Sequence, residues 1–227
     1  MPRTNSIWAE TQAIFRKEIT SELRNSTGFW SAALFALTTV SAIGFASARE
    51  KPGSELAAGI LTAVLLFSGV SSLPRSLLVE DEQGTLELLR LRFQPESIYY
   101  GKLLFVTAMQ IINSFVLCIL YIAFAGLSVV HPGILAIGLI AESVAISGAV
   151  VLCGAVVMGA TSRWLLVGVL SMPFLLPQSA ACIGVLRYGF GAGFSETAWI
   201  NVGSLFGFGL LGIAIGPPLA TALWKRP

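Results

Sequence analysis

Charged residues are scarce in this chain. Only 11% of its 227 residues are Asp, Glu, Lys or Arg, whereas soluble domains contain roughly 25%. Hydrophobic residues make up 55% of the sequence, and the mean hydropathy is +0.81. The scarcity of charge excludes a large soluble domain and predicts an integral membrane protein. The net charge of +2 gives no indication of nucleic-acid binding.

Residues that carry catalysis or bind metals are also few. The one histidine, His131, stands in a His-Pro-Gly turn, and a metal site or a serine–histidine enzyme would need further residues beside it. Haem ligation by His131 alone is a weak alternative. Cys118, Cys153 and Cys182 fall in apolar runs without CxxC spacing, so we expect them to pack as small apolar residues. The single Gly-Lys pair, at 101–102, is without the other residues of a phosphate-binding loop. We therefore expect a non-catalytic chain that binds no metal or cofactor. An intramembrane enzyme is a remote alternative.

Six apolar runs are long enough to cross a membrane as helices, which requires about 20 residues each. They are too continuous to be barrel strands, in which apolar and polar residues alternate. The runs cover residues 30–48, 54–73, 103–130, 134–160, 164–186 and 197–223. The predicted fold class is therefore an all-α integral membrane protein with six transmembrane helices, forming a single transmembrane domain over 1–227.

The distribution of basic residues predicts the orientation of these spans. With the N-terminus inside, three of the 14 Lys and Arg residues, Arg49, Lys51 and Arg187, lie on the outer side, and the rest lie on the inner side. Cytoplasmic loops are enriched in Lys and Arg. Both termini and the loop at 80–102 are therefore predicted to be cytoplasmic.

The N-terminal segment, 1–29, combines apolar residues at helical spacing with charges on the rest of the helix. This pattern is typical of an amphipathic helix that lies on the membrane surface. The simplest role of such a helix is that of an anchor. Alternatively, it also contacts a cytoplasmic partner, and five residues would then supply the contact: Phe15, Lys17, Glu18, Glu22 and Arg24.

The loop at 80–102 is the longest charged interruption of the apolar sequence. Glu82 and its acidic neighbours are expected to end one helix, and Gly84 suits the left-handed position after a helix end. Thr85 is expected to cap a short helix by accepting an N–H bond, with Glu87 in the first turn, where a negative charge suits the helix dipole. Pro95 is expected to end this helix and to start the next one.

The short helix has an apolar edge formed by Leu86, Leu89 and Phe93, while Arg90 points elsewhere. Such a helix between two spans is either an interfacial linker or a coupling helix, which docks on a soluble partner and transmits its motion. In the second interpretation the apolar edge supplies the docking surface. Glu87 and Arg90 would then add charge complementarity.

Two features inside the predicted spans are candidates for a transport pathway or a hinge. Pro173 and Pro177 lie one turn apart, and they are expected to interrupt or bend the fifth span just before Gln178. Glu142 is the one acid well inside a span. It is expected to be protonated, to reach Arg187 or the outer interface, or to couple transport to protons.

Three stretches carry a family resemblance: FRKEITSELRN at 15–25, EDEQGTLELL at 80–89 and LSMPFLLPQ at 170–178. They resemble the charged N-terminal helix, the acidic-Gly-Thr-Leu-Glu segment and the proline-bearing fifth span of the CcmB family, or haem exporter protein B. This family is the permease subunit of the cytochrome c maturation ABC transporter. The second pattern is shared by exporter-type ABC permeases in general, and Glu142 and the polar segment at 94–100 depart from the family pattern.

The resemblance implies a complex in the bacterial inner membrane, embedded in the lipid bilayer. It would contain two copies of this chain, two copies of a cytoplasmic ABC ATPase subunit, a haem-handling membrane subunit and a small accessory membrane subunit. ATP and haem would be bound by these partners. The complex would export haem, or release a haem-loaded chaperone, for c-type cytochrome biogenesis. Two alternatives stay open: an exporter-type permease for another lipid or a drug, and a standalone proton-coupled carrier that uses Glu142.

Overall fold

The computed structural model describes residues 6–24, 27–47, 51–72, 80, 84–158 and 162–224, which form helices joined by short turns. Eight helices are assigned within these ranges. In chain order they are α1 (Ile7–Arg24), α2 (Thr27–Ala46), α3 (Ser54–Ser72), α4 (Thr85–Arg92), α5 (Pro95–Ala125), α6 (Pro132–Val157), α7 (Arg163–Gly189) and α8 (Ser195–Trp224). The predicted all-α fold is confirmed for this part of the chain.

Five of these helices, α3 and α5 to α8, are long and apolar enough to cross a membrane. The run predicted at 30–48 coincides with α2, whose segment Leu37–Ala46 is a shorter apolar helix among the described residues. The chain is therefore a multi-pass membrane protein. The count of six spans stays a prediction.

Helix α6 is the centre of the bundle. It packs against α5, α7 and α8, and 78% of its most apolar stretch is buried inside the protein. Small residues permit the close approach of α6 and α8, because a Cβ atom added at Gly212 of α8 would lie 2.6 Å from the Cα of Gly148 of α6. Polar side chains of α6, including Glu142, are thereby enclosed by protein.

Helix α5 begins and ends where local chemistry requires it. Pro95 occupies its first turn, as predicted, because proline lacks only an N–H that has no partner there. Gly126 ends it in the left-handed conformation, with φ of 61°, although the apolar run at 103–130 continues beyond this residue. The Tyr99 hydroxyl donates a 2.8 Å hydrogen bond to the carbonyl of Gly212, which ties α5 to α8.

Helix α7 passes through Pro173 and Pro177 as one continuous helix, so the interruption expected there is not found. The alternative expectation, a bend at these prolines, stays a prediction. Both Pro173 and Pro177 are exposed. Each proline removes one backbone donor, but the helix continues on both sides of it. Gln178 points inward instead, and its Nε2 donates a 3.3 Å hydrogen bond to the carbonyl of Ala145.

Candidate functional site

The short helix α4 connects the second and third predicted spans. It follows Gly84, whose φ of 68° confirms the left-handed conformation expected there. Thr85 is the first helical residue and not the cap, so the predicted capping bond is absent. Its hydroxyl instead donates a 3.3 Å bond to the carbonyl of Glu80. At the other end, the N–H of Phe93 bonds to the carbonyl of Leu89 at 2.8 Å.

One edge of α4 is anchored to the bundle. Leu89 and Phe93 are partly buried against a hydrophobic cluster that includes Ile14 of α1 and Trp224 of α8. The guanidinium of Arg90 stands over the Trp224 ring, 5.3 Å from its centre, in cation–π geometry. Helix α4 is therefore fixed to the helices that form this end of the bundle.

The opposite edge of α4 is open. Leu88 is 66% exposed and Leu91 is 72% exposed. The docking surface predicted from the sequence included Leu89 and Phe93, which here face inward. The side chains of Leu86 and Glu87, and all of Glu82, lie outside the described residues. The sequence contains two apolar edges on α4, and the structure assigns Leu88 and Leu91 to the exposed one.

A compact ion-pair network lies beside α4. The ammonium of Lys102 is fully buried in the second turn of α5, 3.0 Å from the Glu18 carboxylate and 2.5 Å from the Glu80 carboxylate. Lys17 pairs with the same two carboxylates, at 3.1 Å from Glu18. Two positive and two negative charges therefore balance. Burial lowers the pKa of Lys17, and the neighbouring Glu18 carboxylate opposes this shift.

Helix α1 reaches this network because it lies directly on the backbone of α5. A Cβ atom at Gly101 would come within 2.6 Å of Ile14. Glu10, Ile14 and Glu18 recur every fourth residue on the side of α1 that faces α5, and all three are buried. Glu10 accepts a 3.0 Å bond from the backbone N–H of Gln94, at the start of α5. A carboxylate in this position complements the helix dipole.

Other apolar residues of α1 face away from the protein. Trp8 is 63% exposed and Leu23 is 78% exposed, as expected of a helix whose apolar side enters lipid. Of the predicted partner contacts, Phe15 and Glu22 are half-buried and Arg24 is exposed, while Lys17 and Glu18 belong to the internal network. The sequence analysis missed Glu10, Glu80 and Lys102. The four-residue spacing of Glu10, Ile14 and Glu18 was the available signal.

Glu142 lies in a separate region, inside the membrane-spanning bundle. It is completely buried, so it does not reach the outer interface. Arg187 is paired with Glu55 at 3.7 Å and therefore is not its partner. Apart from the weak S–H donor of Cys182, no hydrogen-bonding partner of the Glu142 carboxyl is found in the described ranges. The structure does not bring Glu142 together with α4.

Several apolar spans, with a short anchored helix between two of them, define a multi-pass membrane protein. The family model of the CcmB protein matches residues 9–223, nearly the whole chain, and the chain therefore belongs to the CcmB family. This family implies a generally non-catalytic permease component of the haem-exporter ABC transporter for cytochrome c maturation, which works with the ATPase CcmA and with CcmC. The resemblance found in the sequence is confirmed. None of the curated proteins compared with the chain matches it.

Proposed function

We propose that this chain is the subunit through which a cytoplasmic ATPase drives the exporter, and that α4 is its coupling helix. ATP binding would close a pair of ATPase subunits against α4 in two copies of this chain. The resulting movement of the spans would export haem or release a haem-loaded chaperone. ATP and haem would be held by the partner subunits, including the haem-handling membrane subunit and the small accessory one.

The observation that carries this proposal is the two-edged burial of α4. A helix of eight residues is too short to be stable alone, and its inner edge is held by Leu89, Phe93 and the Arg90–Trp224 contact. The outer edge leaves Leu88 and Leu91 uncovered. On a protein surface in water, neighbouring exposed apolar side chains indicate a docking surface. A helix firmly attached on one side and open on the other can transmit force.

The proposed orientation places this open edge in the cytoplasm. The excess of Lys and Arg on the side of α4 supports it. So does the ion-pair network beside α4, because such charges lie at the membrane surface more readily than within hydrocarbon. Both termini would then be cytoplasmic, and the membrane would be the bacterial inner membrane.

The test is affinity purification of the tagged protein in mild detergent, followed by identification of the proteins that accompany it. We expect an ABC ATPase to co-purify with the wild type and to be lost from the double variant Leu88→Asp/Leu91→Asp. Thr20→Asp is the control, because Thr20 is also exposed but lies on α1 and is not one of its apolar, lipid-facing residues. This variant should retain the ATPase.

Two other results would contradict the proposal. Retention of the ATPase by the double variant would show that α4 is not the docking helix. A protein that purifies alone and transports substrate in vesicles without an ATPase would instead favour a proton-coupled carrier. Glu142→Gln would then abolish transport.

A further inference from the structure

Both ends of helix α4 are attached to the same neighbouring helix, α1. Glu80, five residues before Thr85, pairs with Lys17 of α1 and accepts the Thr85 hydroxyl through its carbonyl. Gln94, two residues after Arg92, donates its N–H to Glu10 of α1. Helix α4 and its flanking residues therefore form a bridge with two anchor points on one helix.

We propose, on the basis of the coupling role inferred above, that α1 is a clamp that positions the coupling helix from both ends. Glu18, acting through Lys102 and Lys17 on Glu80, holds the chain before α4. Glu10 holds the chain after α4, at Gln94. Both are positioning residues, because they act on α4 and do not themselves form its exposed docking edge.

The burial of these contacts makes the clamp stiff. Glu10, Glu18 and Lys102 are all nearly or completely inaccessible to water. Charge-assisted hydrogen bonds are among the strongest in proteins. Removal of one member leaves the charge of its partner buried and uncompensated. Each contact is therefore costly to open, unlike an ion pair at the surface.

The two sides of α1 suit it to this role. Its inward side carries the acids, and the close approach of Ile14 to Gly101 leaves no room for sliding between α1 and the first turns of α5. Its outward side carries Trp8 and Leu23, which can rest in lipid. Helix α1 and the start of α5 thus form one body. A displacement of α4 by the ATPase reaches this body at two points.

The first test is hydrogen exchange of the α4 amides in the purified full complex. We expect Glu10→Ala and Glu18→Gln each to accelerate exchange in Thr85–Arg92 roughly tenfold or more, because local opening no longer breaks a charge-assisted contact. Glu22→Gln is the matched control, since Glu22 is a half-buried acid one turn beyond Glu18. It should leave exchange unchanged. Unchanged exchange in Glu10→Ala and Glu18→Gln would overturn the proposal.

A second measurement separates the clamp from general destabilisation. Glu18→Gln, Lys102→Gln and the double variant form a cycle, and if the two residues act through one contact, the double variant should exchange no faster than the worse single variant. Multiplied effects of the two substitutions would contradict the proposal. The same cycle is measured in the purified full-length chain without an ATPase, so the clamp can fail or succeed independently of the proposed function.

The third measurement tests whether the clamp transmits the movement of the ATPase to the spans. In Glu10→Ala we expect the ATPase to remain bound and to hydrolyse ATP, while the yield of mature cytochrome c per ATP hydrolysed falls severalfold. Glu10→Gln keeps an acceptor oxygen for the Gln94 N–H and should restore much of this yield. A proportional loss of binding, hydrolysis and maturation in Glu10→Ala, without rescue by Glu10→Gln, would overturn the positioning role.

Discussion

Two regions of this molecule bury carboxylates, and they differ in whether a cation balances the negative charge. Beside α4, Glu18 and Glu80 share the ammonium groups of Lys17 and Lys102, and the charges cancel. In the middle of the bundle, Glu142 is equally buried but has no cation beside it in the described part of the chain. The first region can hold charged groups in a fixed geometry. The second favours a neutral carboxyl group, because an isolated charge is very costly in apolar surroundings.

This difference determines which region is expected to contribute more to the stability of the fold. Buried ion pairs are often no better for stability than apolar packing, but their partial removal is strongly destabilising. The pairs beside α4 also connect segments that are distant in the sequence, whereas Glu142 connects none through a strong bond. The following substitutions compare the two regions, from the largest expected effect to the smallest.

Lys102→Met should produce the largest loss of stability. It would leave the Glu18 and Glu80 carboxylates close together with only the half-exposed Lys17 between them. Breaking a buried pair in this way costs about 3–5 kcal/mol. Thermal unfolding in detergent, followed by loss of the monodisperse protein, would measure the effect. A midpoint equal to that of the wild type would show that the network is not intact in the membrane.

Gly101→Ala should have an intermediate effect. The added methyl group would collide with Ile14 and the carbonyl of Thr11, and overpacking of this kind costs roughly 1–3 kcal/mol. Gly59→Ala is the matched control, because a Cβ atom at Gly59 meets nothing within 4 Å. Equal unfolding midpoints of the two variants would contradict the close packing of α1 on α5.

Arg90→Gln should weaken the attachment of α4 to α8 without unfolding the bundle. Arg90 is half-buried over the buried Trp224 ring, and cation–π contacts contribute about 0.5–2 kcal/mol. We expect faster hydrogen exchange in α4 and a nearly unchanged unfolding midpoint. Arg92→Gln, at an exposed neighbouring position, removes only a contact with the adjacent Phe93 ring and leaves the contact with α8 in place, so it should accelerate exchange in α4 less than Arg90→Gln does.

Glu142→Gln should have the smallest effect. Glutamine has nearly the same shape as a neutral glutamic acid, so we expect a change in stability below about 1 kcal/mol and normal cytochrome maturation. Reporter cytochrome levels and unfolding midpoints would be measured side by side. A severe loss of maturation in a stable Glu142→Gln protein would give Glu142 a role in the pathway.

The sequence predicted the features that depend on local chemistry. Long apolar runs gave the helices, Pro95 marked the start of α5, and Gly84 took the left-handed conformation before α4. It did not reveal which apolar edge of α4 faces inward, since Leu89 with Phe93 and Leu88 with Leu91 are both spaced for a helix face. The positions of Ile14 and Trp224, both distant along the chain, decide between them.

The burial of Lys102 is a second feature that the sequence alone did not predict. In the sequence Lys102 is one of several basic residues that indicate orientation. Its burial depends on α1, which is distant in the sequence and covers the start of α5. The interruption expected in α7 is not found for a related reason. A proline removes one backbone donor, and whether the helix continues past it depends on the surrounding structure, which the local sequence does not show.

The central claim is that α4 docks a cytoplasmic ATPase through its outer edge. Photo-crosslinking from single sites in intact cells tests it most directly, with a photoreactive amino acid placed at position 88, 91, 89 or 93. We expect crosslinks to an ABC ATPase from positions 88 and 91, and none from positions 89 and 93, which face the bundle. Crosslinks from 89 and 93 alone, or from none of the four, would contradict the account.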